Sequence, residues 1–166
     1  LSVLFQSLNN IDVEKLVEAR KSVIYKLSNH LRDDFHHWLE ENSMNASIYD
    51  LSPAQVGRRS LKSLIINYLI KVDKTFEGDL VRNFYDSENM TERLSSFSAI
   101  VNSELSSSEK IREVFFNQYK DQTLVVQKWI STLVQLENNK VFDLMKYIEG
   151  LPEFDIKVPN LVRSLV

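Results

Sequence analysis

Between Asp12 and about Glu41, apolar residues recur three, four and seven positions apart: Val13, Leu16, Val17, Val23 or Ile24, Leu27, Leu31, Phe35 and Trp38. This is the stripe of one amphipathic helix, capped by Asp12 and roughly 45 Å long at 1.5 Å rise per residue. Ahead of it, Leu1 to Leu8 reads as a short apolar helix end, broken by Asn9-Asn10. The period is lost over residues 42–47, a polar loop. Ser52-Pro53 then opens a new helix, with Ser as N-cap and Pro at the first helical position, where its missing N–H costs nothing. Val56, Leu61, Leu64, Ile65, Tyr68 and Leu69 form its expected buried stripe, and Gly57 within it suggests a close backbone approach. This helix stops near Lys71 to Lys74, and a shorter one runs from about Phe76 to Ser87 with Leu80, Val81, Phe84 and Tyr85.

The middle of the chain turns on Ser87 to Leu94, a corner with neither Gly nor Pro. Asn89 or Thr91 is the N-cap of the helix that follows, and the corner is expected to be held by side-chain bonding and by burial of Met90. Beyond it the expected core positions are Leu94, Phe97, Ile100, Val101 and Leu105. Ser106 to Glu109 supplies caps for a helix carrying Ile111, Val114, Phe115 and Tyr119. Turns at 121–123 and at Asn138-Asn139 bracket a helix with Leu124, Val125, Lys128, Trp129, Leu133 and Leu136. Val141, Leu144, Met145 and Ile148 mark the next, stopped by Gly150. Leu151 to Phe154 is a turn fixed by Pro152, and Pro159-Asn160 opens a last helix, Leu161 to Val166. Consecutive helices with short loops pack as antiparallel hairpins. The expected fold is all-α: an irregular α-solenoid of helix hairpins, an ARM/HEAT-like superhelix without a strict residue repeat, forming a single helical domain over 1–166.

Composition agrees. Three Gly and three Pro in 166 residues are too few turn formers for a β-rich chain of this length. The 20 basic and 23 acidic residues are interspersed, which argues against a nucleic-acid or anionic-membrane surface. No apolar run approaches the length of about 18 residues that a membrane-spanning helix needs. The chain lacks cysteine, so thiolate metal sites and disulfides are excluded; this suits a reducing, cytoplasmic setting. Leu1-Ser2-Val3-Leu4-Phe5 resembles a helix entered midway, and the expectation is a fragment of a longer chain.

Candidate chemistry is sparse. His30, His36 and His37 lie on one helix, with Glu40 and Glu41 four residues after the last two, but three or four converging ligands and the H-E-x-x-H pattern are missing. They read as a solvated or partner-facing helix surface. The adjacent pairs Asp33-Asp34 and Glu40-Glu41 diverge by about 100° around a helix and read as solvated charge. No nucleophile elbow, phosphate loop or catalytic constellation occurs. Asn45-Ala46-Ser47 and Asn89-Met90-Thr91 are chance matches to glycosylation acceptors. Trp38 and Trp129 read as core, with Lys128-Trp129 as a candidate interface pair; Arg58, Arg59 and Lys62 read as salt-bridging. Arg163 reads first as an ordinary structural ion pair.

Four stretches, in order and at the expected spacing, resemble the C-terminal helical domain of bacterial-type aminopeptidase N, a gluzincin zinc metallopeptidase. Tyr49 to Pro53 with Gly57 to Ser63 resembles its R-x-L-[KR]-N segment, and Asn89 to Leu94 its N-M-T-[DE]-x-L corner. Leu124 to Trp129 resembles its L-V-[VM]-[DQ]-K-W helix, and Phe154 to Leu165 its F-x-x-x-N-P-N-[KR]-[VI]-R-[SA]-L segment. Ser63, Val158 and Leu151-Pro152 depart from that pattern. The resemblance covers about Val13 to Val166 and implies a truncated piece of a larger domain, since the family's F-H-x-x-D-G-x-G-Y stretch is absent.

The resemblance further implies a parent that removes N-terminal residues from peptides with a zinc ion held in earlier domains. This piece would close the active-site chamber and limit access to it, with no metal, cofactor or catalytic residue of its own. Its partners would be the catalytic domain of the same chain and the peptide substrate. The matched arginine, Arg163, would face that chamber, a reading that stands beside the ion-pair one. The rival function is a free-standing helical scaffold that binds a protein partner in its groove.

Overall fold

The computed structural model describes residues 12–43, 50–136 and 140–166. The expected helix end at Leu1 to Leu8, the Asn9-Asn10 break, most of the 42–47 loop and the Asn138-Asn139 turn lie outside them. The elements are α1 (Val13–His30), α2 (Arg32–Ser43), α3 (Pro53–Leu69), a 3-10 turn (Lys74–Phe76), α4 (Glu77–Asp86), α5 (Met90–Asn102), α6 (Ser108–Tyr119), α7 (Thr123–Leu133), α8 (Lys140–Glu149) and α9 (Pro159–Leu165). No strand occurs among the described residues.

The helices stack in two rows. The odd-numbered ones pack directly on one another: α1 on α3, α3 on α5, α5 on α7 and α7 on α9. The even-numbered ones rest chiefly on the odd row, α2 on α3, α4 and α6 on α5, and α6 and α8 on α7, with α4 and α6 meeting through the side chains of Phe84 and Phe115. This is the helical solenoid expected from the periodicity, with α5 and α7 at its centre. Their buried faces hold Phe97, Ile100 and Val101 on α5, and Val126, Trp129, Ile130 and Leu133 on α7. Phe84 of α4, Ile111 and Phe115 of α6, Ile148 of α8, and Leu161 and Leu165 of α9 complete one continuous core.

The structure corrects the pattern at three places. First, the expected single helix from Asp12 to Glu41 is two. Leu31 leaves the helical basin at φ −100° and ψ 12°, immediately before Arg32, which turns with His36 toward Asp73. Second, several stripe residues face out: Val13 and Leu27 on α1, and Val56, Leu61 and Leu64 on α3; of the alternatives Val23 and Ile24, Val23 is exposed and Ile24 half-buried. On α1 only Ser28 is buried, because that helix ends the described stack and is packed only against α2 and α3. On α3 the apolar residues surround the helix, so periodicity could not choose the inward side; burial falls on Ile65, Ile66 and Leu69. Third, Gly57 marks no close approach: a Cβ there would meet nothing within 4 Å.

The corners explain how so few glycines suffice. After α5, the amide of Leu105 bonds the carbonyl of Ile100 (3.2 Å), and that of Glu104 bonds Val101 (3.1 Å). This Schellman closure needs a left-handed residue, and Glu104 takes the position at φ 48° where glycine is usual. Leu105, buried, anchors the turn. At the start of α6, Ser107 uses its own hydroxyl and amide, both at 2.8 Å, to bond Glu77 Oε1 rather than to cap the helix. Burial raises the Glu77 pKa, but hydrogen bonds from Ser107 and Ser106 outweigh it and hold this carboxyl below its ordinary value.

Candidate functional site

Arg163 stands on the last helix. Asp155 Oδ1 accepts from Lys157 N (2.8 Å), and the Val158 amide bonds the Asp155 carbonyl (2.9 Å), so the turn before α9 is closed by backbone and carboxylate. Pro159 then occupies the first turn of the helix, where its fixed φ is already helical. Leu161 and Leu165, four apart, are buried against α7, and Arg163 midway between them is exposed. Arg163 forms no hydrogen bond or ion pair among the described residues, so the ion-pair reading is not realised there. Its charge lies in the last turn of α9, where it complements the negative end of the helix dipole.

The other polar candidates are occupied in joining helices. Asn89, not Thr91, caps α5: its Oδ1 accepts from Glu92 N at 2.9 Å, and its Nδ2 reaches Glu92 Oε2 at 3.3 Å. Glu92 Oε1 also takes Lys62 Nζ of α3 at 2.8 Å, as the salt-bridging reading of that cluster expects. Arg59 Nη2 donates to the Asp50 carbonyl (2.8 Å). Met90 is only half-buried, and the corner is held chiefly by Arg93, which donates to Tyr119 Oη (2.6 Å) and to the Ser87 carbonyl (2.7 Å).

Trp129 is core, as expected, its Nε1 bonded to the Arg112 carbonyl at 3.2 Å, whereas Lys128 beside it is exposed. Trp38 is half-buried. His37 Nε2 lies 3.4 Å from Glu41 on an exposed face, while His36 Nε2 meets Asp73 Oδ2 at 3.0 Å. Asp73 was missed in the sequence because it falls where a helix stops, with no periodic signal. No group of three or more His, Cys, Asp or Glu among the described residues could hold a metal ion, so zinc does not fit these residues. No helix among them is long and apolar enough to cross a membrane.

A family model described as a domain of unknown function (DUF3458_C), ARM repeats, matches residues 1–166. The chain belongs to the DUF3458_C ARM-repeat family. Similar curated proteins include aminopeptidase N of Haemophilus influenzae, 24% identical over 162 residues, which are 97% of this chain and 18% of that one. Aminopeptidase N of Escherichia coli is 22% identical over 157 residues, 94% of this chain and again 18% of the relative. A crystal structure of Legionella pneumophila aminopeptidase A in complex with aspartic acid superposes with a TM-score of 0.84 at 26% identity, covering 98% of this chain and 20% of the other. The DUF3458_C chain therefore spans about a fifth of the length of the relatives it matches. The expected resemblance to a helical domain of aminopeptidases is met.

Proposed function

We propose that this DUF3458_C domain is the helical cap of a zinc-dependent aminopeptidase acting in the cytoplasm. It packs against a catalytic domain of the same longer chain, encloses the chamber where N-terminal residues are hydrolysed, and limits which peptides enter. The observation that carries this reading is the match along nearly the whole chain to aminopeptidases about five times longer. Its own residues would bind and exclude; the metal, which activates water in such enzymes, would be held elsewhere. The purified 166-residue chain is expected to show no turnover of alanine p-nitroanilide, with or without added zinc, while a parent chain carrying it does; turnover by the chain alone would sink the reading.

Arg163 is the residue proposed to face peptide. It belongs to the odd row, and its guanidinium is exposed with no partner among the described residues. Such a group can take a carboxylate or a backbone carbonyl of an extended chain. In the parent enzyme, Arg163→Ala is expected to raise KM several-fold for peptides of four or more residues and to leave single-residue amide substrates unchanged, because only the longer ones reach the wall. Equal effects on both classes, or none, would return Arg163 to a purely structural place.

A further inference from the structure

The even row leaves a cleft between α6 and α8, with α7 as its floor. Its volume is about 580 Å³, within the range of ligand pockets. The floor and walls are apolar: Trp129 and Leu133 of α7, Phe116 of α6 and Leu144 of α8. Phe116 and Trp129 lie with ring centroids 4.7 Å apart at 39°. Tyr147, more than half exposed, stands at the α8 rim.

The α6 rim carries charge of one dominant sign. Glu109 and Glu113 are four residues apart on the same face, both exposed and both lining the cleft. Neither makes an ion pair or hydrogen bond among the described residues, and like charges at this spacing repel. Arg112 lies between them and also lines the cleft, but it is not within ion-pair distance of either, and its buried Nε has no partner. The remaining polar wall is the neutral amide of Asn117. Two carboxylates and one guanidinium leave the cleft net negative over an aromatic and aliphatic floor. That combination suits a cation carried on an apolar stem: the stem covers the part-exposed Phe116, Leu144 and Tyr147, and the ammonium is attracted by the two carboxylates.

We propose that the α6–α8 cleft is a docking site for an extended peptide segment that alternates lysine or arginine with apolar side chains. It lies on the row opposite the one carrying Arg163 and does not depend on the aminopeptidase reading. Titration of the ¹⁵N-labelled chain with a capped tetrapeptide alternating leucine and lysine tests it. Saturable shifts are expected at the Trp129 indole N–H and at α6 and α8 amides. The lysine peptide should bind about five-fold tighter than its norleucine counterpart, with the glutamate version weaker still. Glu109→Gln with Glu113→Gln, both at exposed positions, should abolish that preference, and Arg112→Gln should tighten lysine binding. Equal affinity for all three peptides, shifts centred outside the cleft, or no saturation would each overturn the proposal.

Discussion

Phe115→Ala is expected to destabilise the chain by about 3–5 kcal/mol, the range for removing a buried aromatic side chain and leaving a cavity. Phe115 is fully buried where α4, α5 and α6 meet. Its ring stacks on Phe97 with centroids 4.4 Å apart at 21°, lies 6.2 Å from Phe84 and 4.9 Å from Tyr119. Such aromatic contacts add about 0.5–1.5 kcal/mol each beyond buried area. Collapse cannot refill the space, because Phe84 and Phe97 are themselves packed to nearly zero exposure. For a domain of this size the melting temperature should fall by roughly 8–15 °C. Phe115→Leu keeps most of the volume and should cost far less. A loss under about 1 kcal/mol for the alanine variant would mean that the ring is not the hub of this core.

Asp73→Ala is the second large effect, expected at about 2–3 kcal/mol. Its carboxylate is buried and takes Arg32 Nη2 at 2.7 Å, Arg32 Nε at 3.2 Å, His36 Nε2 at 3.0 Å, and both the hydroxyl and amide of Thr75. It thereby pins α2 to the turn before α4. The figure sits below that for a fully buried pair because Arg32 is half exposed and regains water when released. Hydrogen bonds from Thr75, then from Arg32, outweigh the penalty of burial and hold the Asp73 pKa well below the ordinary carboxylate range. A carboxyl whose folded-state pKa is depressed stabilises the fold above its unfolded value, about 3.9, and loses that contribution as pH falls through the folded value. The stability gap between the native chain and Asp73→Ala should therefore be constant above about pH 5 and narrow steadily below pH 4. A gap that stays constant down to pH 2 would show that the charge is not what pins α2.

The fold was legible because burial and periodicity coincide wherever a helix has neighbours on several sides. Phe97, Ile100 and Val101 of α5, and Trp129 and Leu133 of α7, face the core as their spacing predicts. It was illegible where a helix has fewer neighbours or is apolar all round, so Val13, Leu27, Leu61 and Leu64 were assigned inward and face out. The break at Leu31 was hidden for a different reason: Asp73, which Arg32 and His36 meet just beyond it, lies 42 positions from Leu31 and carries no local mark. The resemblance fell on residues that fix corners, such as Asn89 with Glu92, and these proved structural. The α6–α8 cleft left no motif, because Glu109, Trp129 and Tyr147 come from three helices and meet only once the rows are stacked.

The unequal spacing of the two rows has a mechanical consequence. Flexing that opens the odd row must pull α5 from α7 and α7 from α9, parting close-packed side chains whose attraction falls off within an ångström. The even helices hold no comparable packing on one another, so they can shift together or apart while the odd row keeps its length. The odd row is thus the hinge line of the stack, and bending about it widens or narrows the space between α6 and α8.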